Sequence, residues 1–403
     1  MDAQRPRARF HLTPFQKFCV RWSVFYDSSS DRLSRVETTL RVYQLTTIMV
    51  TSGLTMYPIL FEDNKKALES LTYFIICAFL LSLIVLAIRT KRYNRAMLLM
   101  VEDEFPGYGG PVPDALRRKM SAIRSSYGRF TMHIIVSYLA LVVFEIPATG
   151  MVPLVAASFT DAKLGSQSTQ MVVMWFPMDT SEIKMYAVSM VIQFFIVLTV
   201  KFIITGIMCS FSFFVNQMIT EFQILATFIE HATEIVEYDR STNRTTEQKL
   251  LDHLKMCTKL HNRLIFYKDQ LNESYGFIIL LELMFSTLYF CLSAFNMIFV
   301  GNKFVMVKGL LTLSNYLAEL FIFCMYGSMV EDAHINLLRA SYNSKWYAQP
   351  LRSRRSLMMV MYRSQTPLQL TVGKVFIANL PLFLSVLKVS YSGVNALRAA
   401  NAK

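Results

Sequence analysis

The chain has 403 residues, of which 53% are hydrophobic and only 17% charged, with a mean hydropathy of +0.36. Soluble domains carry roughly 25% charged residues, so the composition excludes an ordinary soluble protein and predicts an all-α membrane protein. The formal net charge of +13 would suit a nucleic-acid partner. The basic residues cluster beside apolar runs instead, as the positive-inside rule requires, and no nucleic-acid partner is expected.

Residues 1–41 are basic and interrupted by Pro6, Asp27 and Asp31. They read as a cytosolic segment without the short apolar core and small-residue site of a cleavable signal peptide. Spans of about 20 apolar residues then fall at 42–61, 71–88, 130–152, 185–208, 277–300, 304–330 and 375–397. With the N-terminus inside, the inner segments hold 30 Lys and Arg against 7 outside. That asymmetry predicts seven transmembrane helices with a cytosolic N-terminus and an extracellular C-terminus, the reverse of a G-protein-coupled receptor.

The expected organisation is spans one to four with a ligand pocket over 42–211, then cytosolic anchor helices over 212–276. Spans five and six follow over 277–330. A cytosolic anchor helix and bent connection fill 331–374, and the seventh span with an extracellular tail fills 375–403. Residues 214–236 and 246–274 carry apolar positions at 3–4 spacing and extend the fourth and fifth spans into the cytosol. Leu351 to Arg363 form a further inner helix. Pro367 and Gly373 break the chain before the last span, and Pro381 is expected to kink it.

Charged residues inside spans are the next signal. Glu145, before Pro147, reads as a helix end kept wet. Lys201 and Lys308 read as snorkelling side chains, while Glu282 and Glu319 sit deeper, Glu319 nearer mid-span. Intramembrane charges are functional candidates by default. His253, Cys257 and His261 share one helix face at i, i+4, i+8. One helix cannot surround a tetrahedral ion, so they read as a packing seam with no metal. None of the six cysteines (Cys19, Cys77, Cys209, Cys257, Cys291, Cys324) falls in the longest outer loop, 153–184, so no outer disulfide framework is expected. The sequons at Asn243 and Asn272 fall on the inner side and read as chance matches. Glu237-Tyr238-Asp239-Arg240 resembles the acidic-Arg triplet of G-protein-coupled receptors but follows the wrong span. No phosphate loop, zinc-protease helix or serine elbow occurs, so neither an enzyme nor a cofactor is expected.

With 31 Phe, 19 Tyr and 24 Met, the outer halves of the second, third, fourth and sixth spans can build a pocket for a small apolar ligand. Met adapts to irregular shapes and Tyr adds a polar handle. The candidates are Tyr73, Cys77, Tyr138, Ser189, Gln193, Phe194, Asn315 and Tyr316. The last span is unusual. Lys388, Ser392 and Asn395 recur at i, i+4, i+7 beside Ser385 and Tyr391, and an apolar face with Phe376, Leu380, Phe383, Leu387 and Val394 lies opposite. One wet side predicts a helix lining an aqueous path.

The C-terminal third carries Tyr342-x-x-x-Trp346-Tyr347, Pro350, Arg354-Arg355 and Met361-x-Arg363-Ser364-Gln365-x-Pro367-Leu368. Leu370-Thr371-x-Gly373-Lys374-x-Phe376 and Ser385-Val386-Leu387-Lys388-x-Ser390-Tyr391-Ser392 follow. His261-Asn262-Arg263-Leu264 through Asn272-x-x-Tyr275 stands earlier. This ordered set resembles the insect odorant receptors. The resemblance implies a ligand-tuning subunit rather than the shared co-receptor, because residues 220–274 lack the co-receptor's long insertion. It implies an odorant-gated, non-selective cation channel for a small volatile organic molecule, assembled with the co-receptor as a heterotetramer in the plasma membrane of olfactory neuron dendrites. No G protein is required. The resemblance assigns the pore to Lys388, Tyr391, Val394, Asn395 and Leu397. Gly393 and Ala396 stand where bulkier residues are commoner. The competing reading is a metabotropic seven-helix chemoreceptor.

Overall fold

The computed structural model describes residues 31–61, 70–71, 73–78, 81, 112–159, 170–172, 174–177, 180–239, 244–300 and 303–401. Residues 1–30, the part of the second span beyond Leu81, the first inner loop up to residue 111, and Asn243 lie outside them.

The described chain is almost wholly helical. It runs α1 (Asp31–Phe61), a helical segment at 73–78, α2 (Asp114–Phe159), α3 (Ile183–Glu230), α4 (Ala232–Tyr238), α5 (Thr246–Val300) and α6 (Lys303–Asn343). A 3₁₀ turn (Trp346–Ala348), α7 (Leu351–Ser364), a two-residue hairpin of β1 (Thr371–Val372) and β2 (Phe376–Ile377), and α8 (Leu380–Asn401) complete it. Among the described residues four helical stretches are long and apolar enough to cross a membrane: 114–155, 183–230, 246–295 and 306–343.

α3 is the central post. Its residues 207–222 are buried without interruption, as expected of a helix that is hydrophobic on all sides. α2, α5 and α6 pack around it. Inside this core the Phe211 ring packs at a tilt on Phe323, with ring centroids 4.8 Å apart, and meets Tyr275 edge-on at 5.5 Å. Tyr267 donates its hydroxyl to the Phe214 carbonyl at 3.3 Å. The extension of the fourth span is not one continuous helix to residue 236: the chain breaks at His231 before α4. The fifth span and its cytosolic extension do form one helix, α5.

Two glycines let the hairpin before α8 lie directly on the bundle. The Gly276 carbonyl accepts the Gly373 amide at 2.8 Å, and Asn272 Oδ1 accepts the Thr371 amide at 3.1 Å. A Cβ at Gly327 would stand 1.8 Å from the Ala378 carbonyl oxygen, so only glycine fits. Gly373 itself takes φ +58, open to a residue without Cβ.

The last span therefore begins later than expected. Val375 to Ile377 belong to the hairpin and its turn. Asn379 Oδ1 accepts the Leu382 amide at 3.1 Å, capping α8 at its start. Pro381 sits in the first turn, where its missing amide costs no helical hydrogen bond. The expected kink at Pro381 gives way to a helix start.

A pocket in the helical bundle and an exposed polar stripe on the last helix

The outer half of the bundle holds a cavity between α1, the 73–78 segment, α2, α3, α6 and the irregular loop at Met171–Val172. Its room for the centre of a water-sized sphere is about 70 Å³, several times the ~10–15 Å³ that one water needs. Ile76, Ile196, Val197, Val200, Met171 and Val172 make its apolar wall. The loop is held over it from two sides. Gln193 Oε1 accepts the Met171 and Val172 amides at 2.8 and 3.0 Å, and the Trp175 amide reaches the Leu54 carbonyl of α1 at 3.0 Å.

The polar side of the cavity is a charge network. Lys201 Nζ lies 2.6 Å from Glu145 Oε2, and Asn315 Nδ2 donates to the same oxygen. Lys201 also stands over the Tyr316 ring at 5.6 Å. Lys308 donates to the Gln170 carbonyl at 3.4 Å and stands over the Tyr73 ring at 5.8 Å. Glu282 takes a hydrogen bond from Ser286 at 3.1 Å. Two expectations are corrected here. α2 continues through Pro147 and Pro153 to Phe159, so Glu145 is no wet helix end but a carboxylate only 4% exposed. Lys201 and Lys308 do not snorkel. Both are buried, because each finds an acceptor inside the bundle, which a charge taken out of water requires.

Of the predicted pocket residues, Tyr73, Cys77 and Tyr316 line the cavity. Tyr73 also donates to the Met171 carbonyl at 3.0 Å. Gln193 and Asn315 stand behind it, one holding the loop and the other holding Glu145. Tyr138 is buried, and among the described residues its hydroxyl has no hydrogen-bond partner. Ser189 is turned into its own helix, donating to the Tyr186 carbonyl at 2.8 Å. Phe194 is 40% exposed and meets Phe195 at 6.0 Å, so it faces away. Sequence reasoning passed over Thr51, Thr149, Ile196, Val200, Thr312 and the Met171 loop. Tyr186, Ser189, Gln193 and Ile196 are buried at 3–4 spacing, and that stripe was the available signal for Ile196. Nothing in the sequence points Met171 inward.

On α8, Ser385, Lys388, Tyr391, Ser392 and Asn395 are exposed, while Val386 and Ser390 are buried and Val394 is half-buried beside Gly393. The Leu397 side chain lies outside the described residues. A Cβ at Gly393 would come 2.8 Å from Cys291 Sγ of α5, so α8 lies close on α5 there. Val386 joins Leu320, Cys324, Tyr289 and Tyr316 in one apolar cluster. The same Tyr316 lines the cavity, and its ring lies 4.8 Å from that of Tyr289. Pocket and last helix thus share one packed cluster.

At the end of the bundle away from the cavity, α3, α5 and α6 bring buried polar groups together. His261 Nε2 and His334 Nε2 are 3.5 Å apart between α5 and α6, with Phe222 edge-on to both rings. Burial, chiefly, and nearby Arg363 hold both imidazoles down at about 4. Burial pushes the Glu221 carboxyl up to about 7 against the pull of Arg124, 3.4 Å away. His253 bonds the Phe228 carbonyl at 3.1 Å and touches Cys257 at 3.6 Å. Among the described residues no three His, Cys, Asp or Glu converge as a metal site would require.

Comparison with known proteins agrees with this architecture. Residues 115–391 match the family described as 7tm Odorant receptor. The chain is 25% identical over 146 residues to odorant receptor 49a of Drosophila melanogaster, covering 36% of this chain and 37% of that one. It is 31% identical over 160 residues to odorant receptor Or2 of Anopheles gambiae, covering 37% and 39%. The matched region therefore spans about two fifths of those relatives. The solved structure of the olfactory receptor OR5 from Machilis hrabei in complex with eugenol superposes with a TM-score of 0.77 at 16% identity, covering 96% of this chain and 97% of that one. The family match, over more than half of its length, makes this chain a member of the 7tm odorant receptor family, a family of multi-pass membrane receptors.

Proposed function

We propose that the chain is the ligand-binding subunit of an odorant-gated, non-selective cation channel that assembles as a heterotetramer with a co-receptor. The observation that carries this reading is the exposed polar stripe of α8. Ser385, Lys388, Ser392 and Asn395 face outward from a helix whose other side packs on α5 and α6. Such a stripe is costly against lipid and is accounted for when equivalent helices from neighbouring subunits enclose water.

Two further features support it. The outer cavity is bordered by Met171 and Val172, which Gln193 holds in place, and is lined mainly by apolar side chains, as suits a site for a small volatile molecule. The cytosolic α7 buries Ser353, Leu357 and Val360 against α5 and α6 but leaves Met358, Met359 and Tyr362 exposed. An apolar face of that kind suits a subunit contact. A ligand opens such a pore only by binding the open state better than the closed one. The Tyr316–Tyr289–Val386 cluster offers a packed route for that preference.

Co-expression with a co-receptor subunit in a heterologous cell tests the reading. Odorant-evoked cation current that persists when G-protein signalling is blocked is expected. Current that vanishes with G-protein block overturns the channel assignment in favour of a metabotropic receptor.

A further inference from the structure

We infer that the cavity selects a neutral ligand with an apolar body and one hydroxyl group, and that Glu145 Oε1 reads the hydroxyl proton. This rests on the proposed function, since it names the ligand class of the same pocket.

The wall threonines and Tyr73 donate to backbone carbonyls. The Lys201 ammonium has donors beyond its contact with Glu145, from which a ligand hydroxyl can accept while it donates to the carboxylate. Tyr73 donates to the Met171 carbonyl, Thr51 to the Thr47 carbonyl, Thr149 to the Glu145 carbonyl and Thr312 to the Lys308 carbonyl. Lys308 reaches the Gln170 carbonyl. Glu145 differs. Both of its side-chain partners, Lys201 and Asn315, use Oε2. Among the described residues no hydrogen bond reaches Oε1, and the side chain lines the cavity. A ligand that fills the space strips water from this oxygen, and a stripped carboxylate oxygen is penalised unless a donor replaces the water.

The chemistry of the head group follows. An alcohol or phenol supplies that donor, whereas an ether, ester or ketone of the same shape supplies none. A carboxylate would meet the charge of Glu145. An ammonium group would add a third cation to a wall that already carries Lys201 and Lys308. Taking that charge out of water into an apolar wall also carries a cost that a neutral alcohol does not meet. The remainder of the wall, including Ile196, Val200 and Met171, takes hydrocarbon.

Isomer pairs isolate the proton. Hexan-1-ol and methyl pentyl ether share one formula, as do benzyl alcohol and anisole. In concentration–response curves of the channel co-expressed with its co-receptor, each alcohol is expected to act at least about tenfold more potently than its ether, about 1.4 kcal/mol. The double variant Glu145→Met/Lys201→Met removes both charges together and leaves neither unpaired. It is expected to bring each pair within about threefold, read in current or in the melting shift of the purified protein. Glu145→Gln, which keeps the shape but not the charge, is expected to shrink the preference about threefold.

Ligand-induced shifts in the melting temperature of purified protein read the same ranking without the pore. An alcohol preference in the melting shifts without current fails the channel reading and leaves this one standing. Equal potency of alcohols and ethers overturns this inference and leaves the channel reading standing. So does a preference that survives both variants, or benzylamine acting more potently than benzyl alcohol.

Discussion

The two halves of α3 bury themselves in opposite ways. From Ile183 to Val200 only a stripe is buried, through Tyr186, Ser189, Gln193 and Ile196, while Val188, Val191 and Phe195 face outward. From Ile207 to Phe222 every residue is buried. The outer half is polar inside and greasy outside, and beside it lies a cavity with a charge network. The inner half carries Phe211, Phe214 and Phe222, whose rings meet Tyr275, Phe323, His261 and His334 of the neighbouring helices. One helix thus joins an adaptable, partly empty region to a close-packed one. Packing leaves little freedom where side chains interlock, so the outer half is the part of α3 with room to rearrange.

Substitutions should separate the two halves, beginning with the strongest. Phe222→Ala, in the inner half, removes a fully buried ring and is expected to cost about 3–5 kcal/mol, read as a lowered melting temperature and reduced surface expression. Gly327→Ala drives a methyl group into the Ala378 carbonyl and is expected to cost about 1–3 kcal/mol or more by overpacking. It reports on the seat of α8 rather than on α3. Ile196→Val, in the outer half, should cost only about 0.5–1.5 kcal/mol yet shift ligand potency, since Ile196 lines the cavity. A large fall in melting temperature for Ile196→Val, or none for Phe222→Ala, would erase the contrast. Asn395→Ala, on the exposed stripe of α8, is expected to change ion permeability ratios with no change in melting temperature.

Acidity provides a further test of the inner half. His261 and His334 have folded values near 4 against an ordinary 6.5. The unfolded chain therefore binds more protons between these values, and the stability they contribute is lost as pH falls from 6.5 through 4. Glu221, near 7 against an ordinary 4.5, acts in the opposite sense. Its share is present below 4.5 and is lost as pH rises through 7. The facing groups are Phe222 and Arg363 for the imidazole pair, and Arg124 and Gln217 for Glu221. With two groups against one, the melting temperature should fall on acidification below 6.5. His334→Gln should flatten that fall and Glu221→Gln should steepen it. A melting temperature that stays level from pH 7 to pH 5 would count against the buried imidazole pair.

The polar stripe of α8 was legible in the sequence because the period of a helix is fixed. Lys388, Ser392 and Asn395 had to share a face, and in the structure all three are exposed. The start of α8 was not legible. Val375 to Ile377 are apolar enough to read as span, and their turn into a hairpin depends on the backbone of Gly276 and Gly327 far away in the chain. Tyr73, Cys77 and Tyr316 were identifiable as pocket residues by residue type and depth. Phe194 has the same credentials, but its helix is rotated so that it points outward. Glu145 was misjudged because Pro147 normally marks a helix end, yet α2 runs on.

By itself the sequence determined what periodicity and composition control: an all-helical membrane chain, amphipathic cytosolic extensions and a polar last helix. Tertiary structure alone decided which buried charges meet. Glu145 and Lys201 are far apart in sequence on separate helices, and only the rotation of α2 against α3 sets their 2.6 Å contact. The rotation arises from side chains packing across helices, a long-range property that no local spacing encodes.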